Sequence, residues 1–198
     1  MTYGIYDGAK IIARFTAPLT LRSNVPVFAS DTLSLKRNTQ SRPAQRWELE
    51  TGVEPLSYGA QELYVHLVTK GTTEIFTIIV PQNYGVIRAR TSVANITGTG
   101  SVDSTSITIA NNAGLIPMGT AIKFSNHGKV YITTANFSSA SGTLPIFPGL
   151  RTAVSGHTIY HRDNVQMNVS YDLDTVAGMT YSDGILMNIG TIKLIERL

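Results

Sequence analysis

Residues 45–53, QRWELETGV, decide the fold class. Trp47, Leu49, Thr51 and Val53 fall on one side of a period-two alternation, and Arg46, Glu48 and Glu50 on the other. That is the pattern of a strand with one face in a core and one in water. Trp47 is therefore read as structural core, and the two glutamates as a solvated face. Upstream, Phe15–Leu21 (FTAPLTL) alternates in the same way, with Pro18 marking an edge strand. Leu33 and Leu35 begin another alternation that ends at Lys36, Arg37 and Asn38, and Thr39–Ala44 reads as a polar loop.

Downstream, one helix stands out. Ala60, Leu63, Tyr64, Leu67 and Val68 follow an i, i+3, i+4, i+7, i+8 stripe, with Ser57 as its cap and Gly71 as its stop. Leu63 and Leu67 are its core residues, and His66 reads as solvent-facing. Glu74–Val80 (EIFTIIV) is rich in β-branched residues and fits a buried strand, and Gly85–Ile96 reads as a further extended segment. The Gly-bearing stretch Thr97–Ser101 reads as a hinge. Beyond it, five short strands are expected at Ser106–Ala110, Ala121–Phe124, Lys129–Thr133, Leu144–Phe147 and His157–Tyr160, the strand count of a small OB-like barrel. Val165, Met167, Val169 and Tyr171 alternate again, Asp172–Asp183 reads as a loop, and Ile185–Leu198 (ILMNIGTIKLIERL) as one long strand.

The expected fold is thus mainly β: a sandwich-like domain of residues 1–96 and 164–198 with one packed helix, carrying an inserted small β-barrel module at 97–163. With 198 residues the chain is long enough to bury about 70% of its unfolded surface. It has no cysteine, which removes thiol nucleophiles, thiolate zinc sites and disulfides together. Met1–Arg14 has Asp7 and Lys10 among its apolar residues and no small-residue cleavage site, so no signal peptide is expected. The run Ile75–Pro81 falls far short of the ~20 apolar residues of a membrane helix.

Charged residues make up 15% of the chain, against about 25% in ordinary globular proteins, so much of the exterior is expected to be covered by copies of the chain or by partners. The net charge of +3 is too small to imply nucleic acid. The acid-free basic cluster Lys36, Arg37, Arg42 and Arg46 fits three readings: nucleic acid, with Trp47 beside it to stack on a base, a solvated loop, or pairing with carboxylates of a neighbouring copy. The last is favoured, and Arg37, Arg42 and Arg46 are the candidate interface residues. His157 and His161, four apart on a strand, would be ~13 Å from each other, too far to share a metal ion. His127 lies in Asn126-His127-Gly128, the chemistry of a hairpin turn. There is no Gly-x-Ser-x-Gly elbow and no phosphate loop, and Asp172 and Asp174 fall in a loop; no catalytic residue, metal or cofactor is expected.

The segments RNTQSRPAQRWELETGVEPLS (37–57), YGAQELYVHLVTKG (58–71) and EIFTIIVP (74–81), in that order, resemble the amino-terminal half of bacteriophage distal tail or baseplate ring proteins. The stretch IPMGTAIKFSNHGKVYITTA (116–135) resembles the inserted β module of several of them. The resemblance implies a tail-tube-like β-sandwich assembled as a hexameric ring in the virion. Such a ring joins the tail tube protein to the baseplate hub and leaves a lumen for DNA or a tape-measure protein, without catalysis or membrane contact. The inserted module would then hold peripheral tail or fibre proteins. Two other readings share the composition. One is a neck, tail-terminator or capsid-decorating protein. The other is a carbohydrate-binding module with a platform of Tyr58, Tyr64, Tyr131 and Tyr160.

Overall fold

The computed structural model describes residues 3–31, 37–41, 44–56, 60–82, 96–162, 165–172, 180–182, 185–188 and 190–198. In chain order the first elements are strands β1 (Gly4–Asp7), β2 (Lys10–Asn24), β3 (Val27–Asp31), β4 (Arg37–Ser41) and β5 (Arg46–Pro55). Helix α1 (Ala60–Lys70) and strand β6 (Phe76–Ile79) follow. Then come β7 (Thr97–Gly100), β8 (Ser106–Ala110), β9 (Ala121–Phe124), β10 (Val130–Thr133), β11 (Gly142–Phe147) and β12 (Val154–Tyr160). The last are β13 (Gln166–Tyr171), β14 (Thr180–Ser182), β15 (Ile185–Asn188) and β16 (Thr191–Glu196).

Strand β5 buries Trp47, Leu49, Thr51 and Val53, as its alternation requires. It pairs with β2 on one side and β16 on the other, and the ring continues through β13, β6 and β1 back to β2. The six strands close into a barrel, all antiparallel, in place of the two stacked layers expected from the sequence. A closed ring leaves no free edge in this sheet. Strand β2 stays in register with β5 despite Pro18 because the ladder skips Ala17 and Pro18: Thr16 faces Gly52 and Leu19 faces Thr51. The missing N–H of Pro18 thus falls in a bulge, where no ladder bond is lost. A side chain at position 52 would put its Cβ on the Thr16 hydroxyl, so glycine fits there.

Residues 97–160 form a second closed barrel, in the order β10, β11, β8, β7, β12, β9. Five of its strands lie where the spacing put them, and the sixth is Thr97–Gly100, read from sequence as a hinge. The correction has a steric cause. A Cβ on Gly98 would meet Phe124 Cε1 at 2.8 Å and Ile159 Cδ1 at 3.0 Å, and one on Gly100 would meet Leu150 Cδ1 at 2.6 Å. These glycines let a strand press against the core, and Gly98 itself is buried.

The two barrels have separate cores. The first gathers Ile5, Trp47, Leu49, Leu63, Leu67, Ile78, Met167 and Leu194, and the second Ile107, Ile109, Phe124, Tyr131, Leu144 and Ile159. Ala121 and Val130 belong to the second barrel by strand and to the first by packing, so the barrels share a buried seam.

Three further expectations are corrected. Thr39–Ser41 is not loop but part of β4, held by pairing with β3 from Val27↔Ser41 to Asp31↔Arg37. Thr180–Ser182, within the expected Asp172–Asp183 loop, forms β14 against β15. The terminal segment is two strands in two different sheets, separated near Gly190, whose φ is +83°. Leu33, Leu35, the cap Ser57 and nearly all of Gly85–Ile96 lie outside the described residues; Ile96 itself is fully buried.

Candidate functional site

The β3–β4 hairpin extends from the first barrel where β2 and β5 end their pairing at Asn24↔Arg46. Every described side chain on it is exposed, including Val27 at 55% and Phe28 at 56%. Among the described residues its two strands pair with each other and with no third strand, so each presents an outer edge. A lone two-stranded ribbon is at best marginally stable in water. Arg37 faces Asp31 across it, with Nε 3.9 Å from Oδ1, an exposed pair with little energy of its own. Arg46 at its base binds Glu48 (2.9 Å) within the same subunit. The Asn24 amide lowers the Glu48 pKa most, with Arg46 adding to it against opposing burial. Arg37 and Arg46 are therefore both at the hairpin, one along it and one at its root, while Arg42 lies outside the described residues.

Beneath the hairpin root is the seam. Trp47, Leu63 and Leu67 are all buried in the first core, and the Trp47 indole Nε1 donates across the seam to the Val130 carbonyl (2.8 Å). Beside it Lys129 and Glu196, with side chains 3% and 0% exposed, form an ion pair between the barrels at 2.5 Å. The pair is fully provided for. The Lys129 ammonium also donates to the Gln45 carbonyl (3.0 Å) and side-chain oxygen (2.6 Å), and Glu196 accepts the backbone N–H groups of Trp47 and Val130, each at 3.1 Å. Burial lowers the Lys129 pKa and the Glu196 carboxylate works against that shift. A second staple is Gln82, whose amide donates to Ala121 O (2.7 Å) and accepts from Ala121 N (3.1 Å), as a neighbouring strand would.

Sequence reasoning missed this seam. One signal was available: Ile192, Leu194 and Glu196 share the inward parity of β16, so a carboxylate stands where an apolar residue belongs. An open cleft of about 1090 Å³ runs over the seam, with Arg46, Arg151, Arg197 and Phe147 among its walls.

The histidines need correction. His66 is buried, not solvent-facing, because the helix turns Leu63, His66 and Leu67 inward and leaves Val68 exposed. Its ring packs edge-on against Phe76 (4.8 Å between centroids), Nδ1 lies 2.9 Å from the Tyr171 hydroxyl, and Nε2 is buried with no hydrogen-bond partner among the described residues. Desolvation lowers its pKa and raises that of Tyr171. His161 is also buried, whereas His157 is half-buried with Nδ1 3.5 Å from Ser125 Oγ. His127 sits in the β9–β10 turn and bridges Asn126 Oδ1 and the Tyr131 hydroxyl, each at 2.8 Å. Burial pushes the Tyr131 pKa up to about 12. A four-tyrosine sugar platform does not form among the described residues: Tyr131 is fully buried while Tyr160 is exposed, and Tyr58 lies outside them.

No protein-family model matches the sequence, and no curated protein matches it.

Proposed function

We propose that the protein is a structural ring subunit of a bacteriophage tail, a distal tail or baseplate component of tail-tube-like ancestry, with no catalytic step assigned to it. The observation that carries this reading is the β3–β4 hairpin, whose described side chains are exposed and which pairs with no third strand among the described residues, beside two sheets that close on themselves. Pairing the outer edge of β3 in one copy with that of β4 in the next is a head-to-tail contact. Repeated with a closing rotation, it yields a ring. Six copies are what the resemblance implies. The hairpins then surround the hole, and their described side chains include Ser30, Asn38, Thr39 and Gln40, with Asp31 balancing Arg37. Such a wall lets DNA or a tape-measure protein pass without holding it.

The first barrel supplies the tube-facing body in this reading. The second barrel, fixed by the seam rather than hung on a hinge, offers a rigid outer surface to the hub or to peripheral tail proteins. Native mass spectrometry of the purified full-length chain, followed by electron microscopy of labelled virions, tests the proposal. A hexamer located between tail tube and hub supports it. A monomer at micromolar concentration overturns it, and label at the neck or on the capsid moves the protein to a terminator or decorating role.

A further inference from the structure

On another part of the seam from the Arg46 cleft, a pocket of about 540 Å³ opens between the β9–β10 turn of the second barrel and β13 of the first. Its walls include Lys123, Ser125, Asn126, Tyr160, Gln166 and Asn168, and no acidic side chain among the described residues. Lys123 and Lys129 lie six residues apart and make opposite arrangements. Lys129 is surrounded by a carboxylate and two further acceptors. Lys123 is half-buried, and its ammonium has no hydrogen-bond or ion-pair partner among the described residues. Burial alone lowers its pKa, with no carboxylate opposing the shift. A partly desolvated cation without a counter-charge is costly, and an anion entering the pocket relieves that cost. His127 does not compete for it, since both ring nitrogens are engaged with Asn126 and Tyr131. The Asn126 amide is held by the Ala153 carbonyl and His127, which leaves the amides of Gln166 and Asn168 and the Tyr160 hydroxyl as donors toward a guest.

We propose that this seam pocket binds a small anion bearing a carboxylate or phosphate group, with Lys123 Nζ as its counter-charge and Gln166, Asn168 and Tyr160 as hydrogen-bond donors. The described walls belong to one subunit, so binding is measurable separately from ring formation. Isothermal titration calorimetry of the full-length protein, with inorganic phosphate and with glucuronate as probes against a sodium chloride control, tests it. Binding of either probe, weakened roughly ten- to hundred-fold by Lys123→Met and largely retained in Lys123→Arg, is the expected result. Preference for glucuronate identifies an acidic sugar as the source of the anion, and preference for phosphate a phosphorylated one. If neither probe binds, or if Lys123→Met binds both as the unaltered chain does while keeping its circular dichroism spectrum, the proposal is overturned.

Discussion

Removing either partner of the Lys129–Glu196 pair leaves the other charge buried between two barrels without its counter-charge. Loss of one member of a buried pair typically costs about 3–5 kcal/mol, most of it the penalty on the partner left behind. Glu196→Gln and Lys129→Met are each expected to destabilise the chain by that order in urea denaturation, and the double variant Lys129→Met, Glu196→Leu by markedly less than the sum of the two. Additive losses would mean the two groups do not depend on each other. Glu196 also shows how far a strand pattern can be read. Its parity with Ile192 and Leu194 marks it as inward, yet nothing in the sequence says that residue 129 waits opposite, because the pair spans 67 positions and is made only when the barrels meet.

Elements were legible where local periodicity and core burial agree, as in β5 and in Leu63 and Leu67 of α1, and misread where a tertiary contact overrides composition. Thr97–Gly100 is the clearest case: its glycines resemble a flexible linker until Phe124, Ile159 and Leu150 are seen against them. Gly98→Ala is therefore expected to lower stability by about 1–3 kcal/mol through overpacking, where a hinge residue would gain from the same change. Thermal denaturation decides between the two. For β4, pairing with β3 imposes strand geometry on a polar sequence that carries no strand signal of its own. The helix adds a pH test. His66 has a folded-state pKa below its unfolded value, so the folded chain binds fewer protons than the unfolded one once pH falls below about 6.5. Stability is then complete above that pH and declines below it. The slope reaches at most about 1.4 kcal/mol per pH unit for each histidine so shifted, and His127 is shifted the same way. Asp7 opposes the His66 shift and Lys70 reinforces it. Urea midpoints measured from pH 7.5 to 5 should fall, and His66→Leu should flatten the curve without abolishing it; an unchanged curve would remove His66 from the account.

At the scale of the molecule, the β3–β4 ribbon stands outside both closed barrels with its described side chains exposed, and that separates folding from assembly. Both barrels close without β3 and β4, and the β2–β5 ladder ends at Asn24↔Arg46, before the ribbon begins. Replacing residues 27–41 with a short Asn-Gly-containing turn should therefore leave the melting temperature within a few degrees of the parent monomer, since it deletes no buried side chain among the described residues. The same replacement should abolish ring formation in native mass spectrometry, because it deletes the two outer strand edges through which the proposed contact runs. Placing aspartate at Val27 and Phe28 is a milder form of the experiment: charges on a strand that must lie beside a neighbour's weaken pairing while leaving each fold alone. A hairpin-less chain that still forms rings would shift the interface to the barrel surfaces, with the Arg46, Arg151 and Arg197 cleft the next surface to test. A hairpin-less chain that fails to fold would show instead that the ribbon belongs to the core of its own subunit, against the exposure of its described side chains.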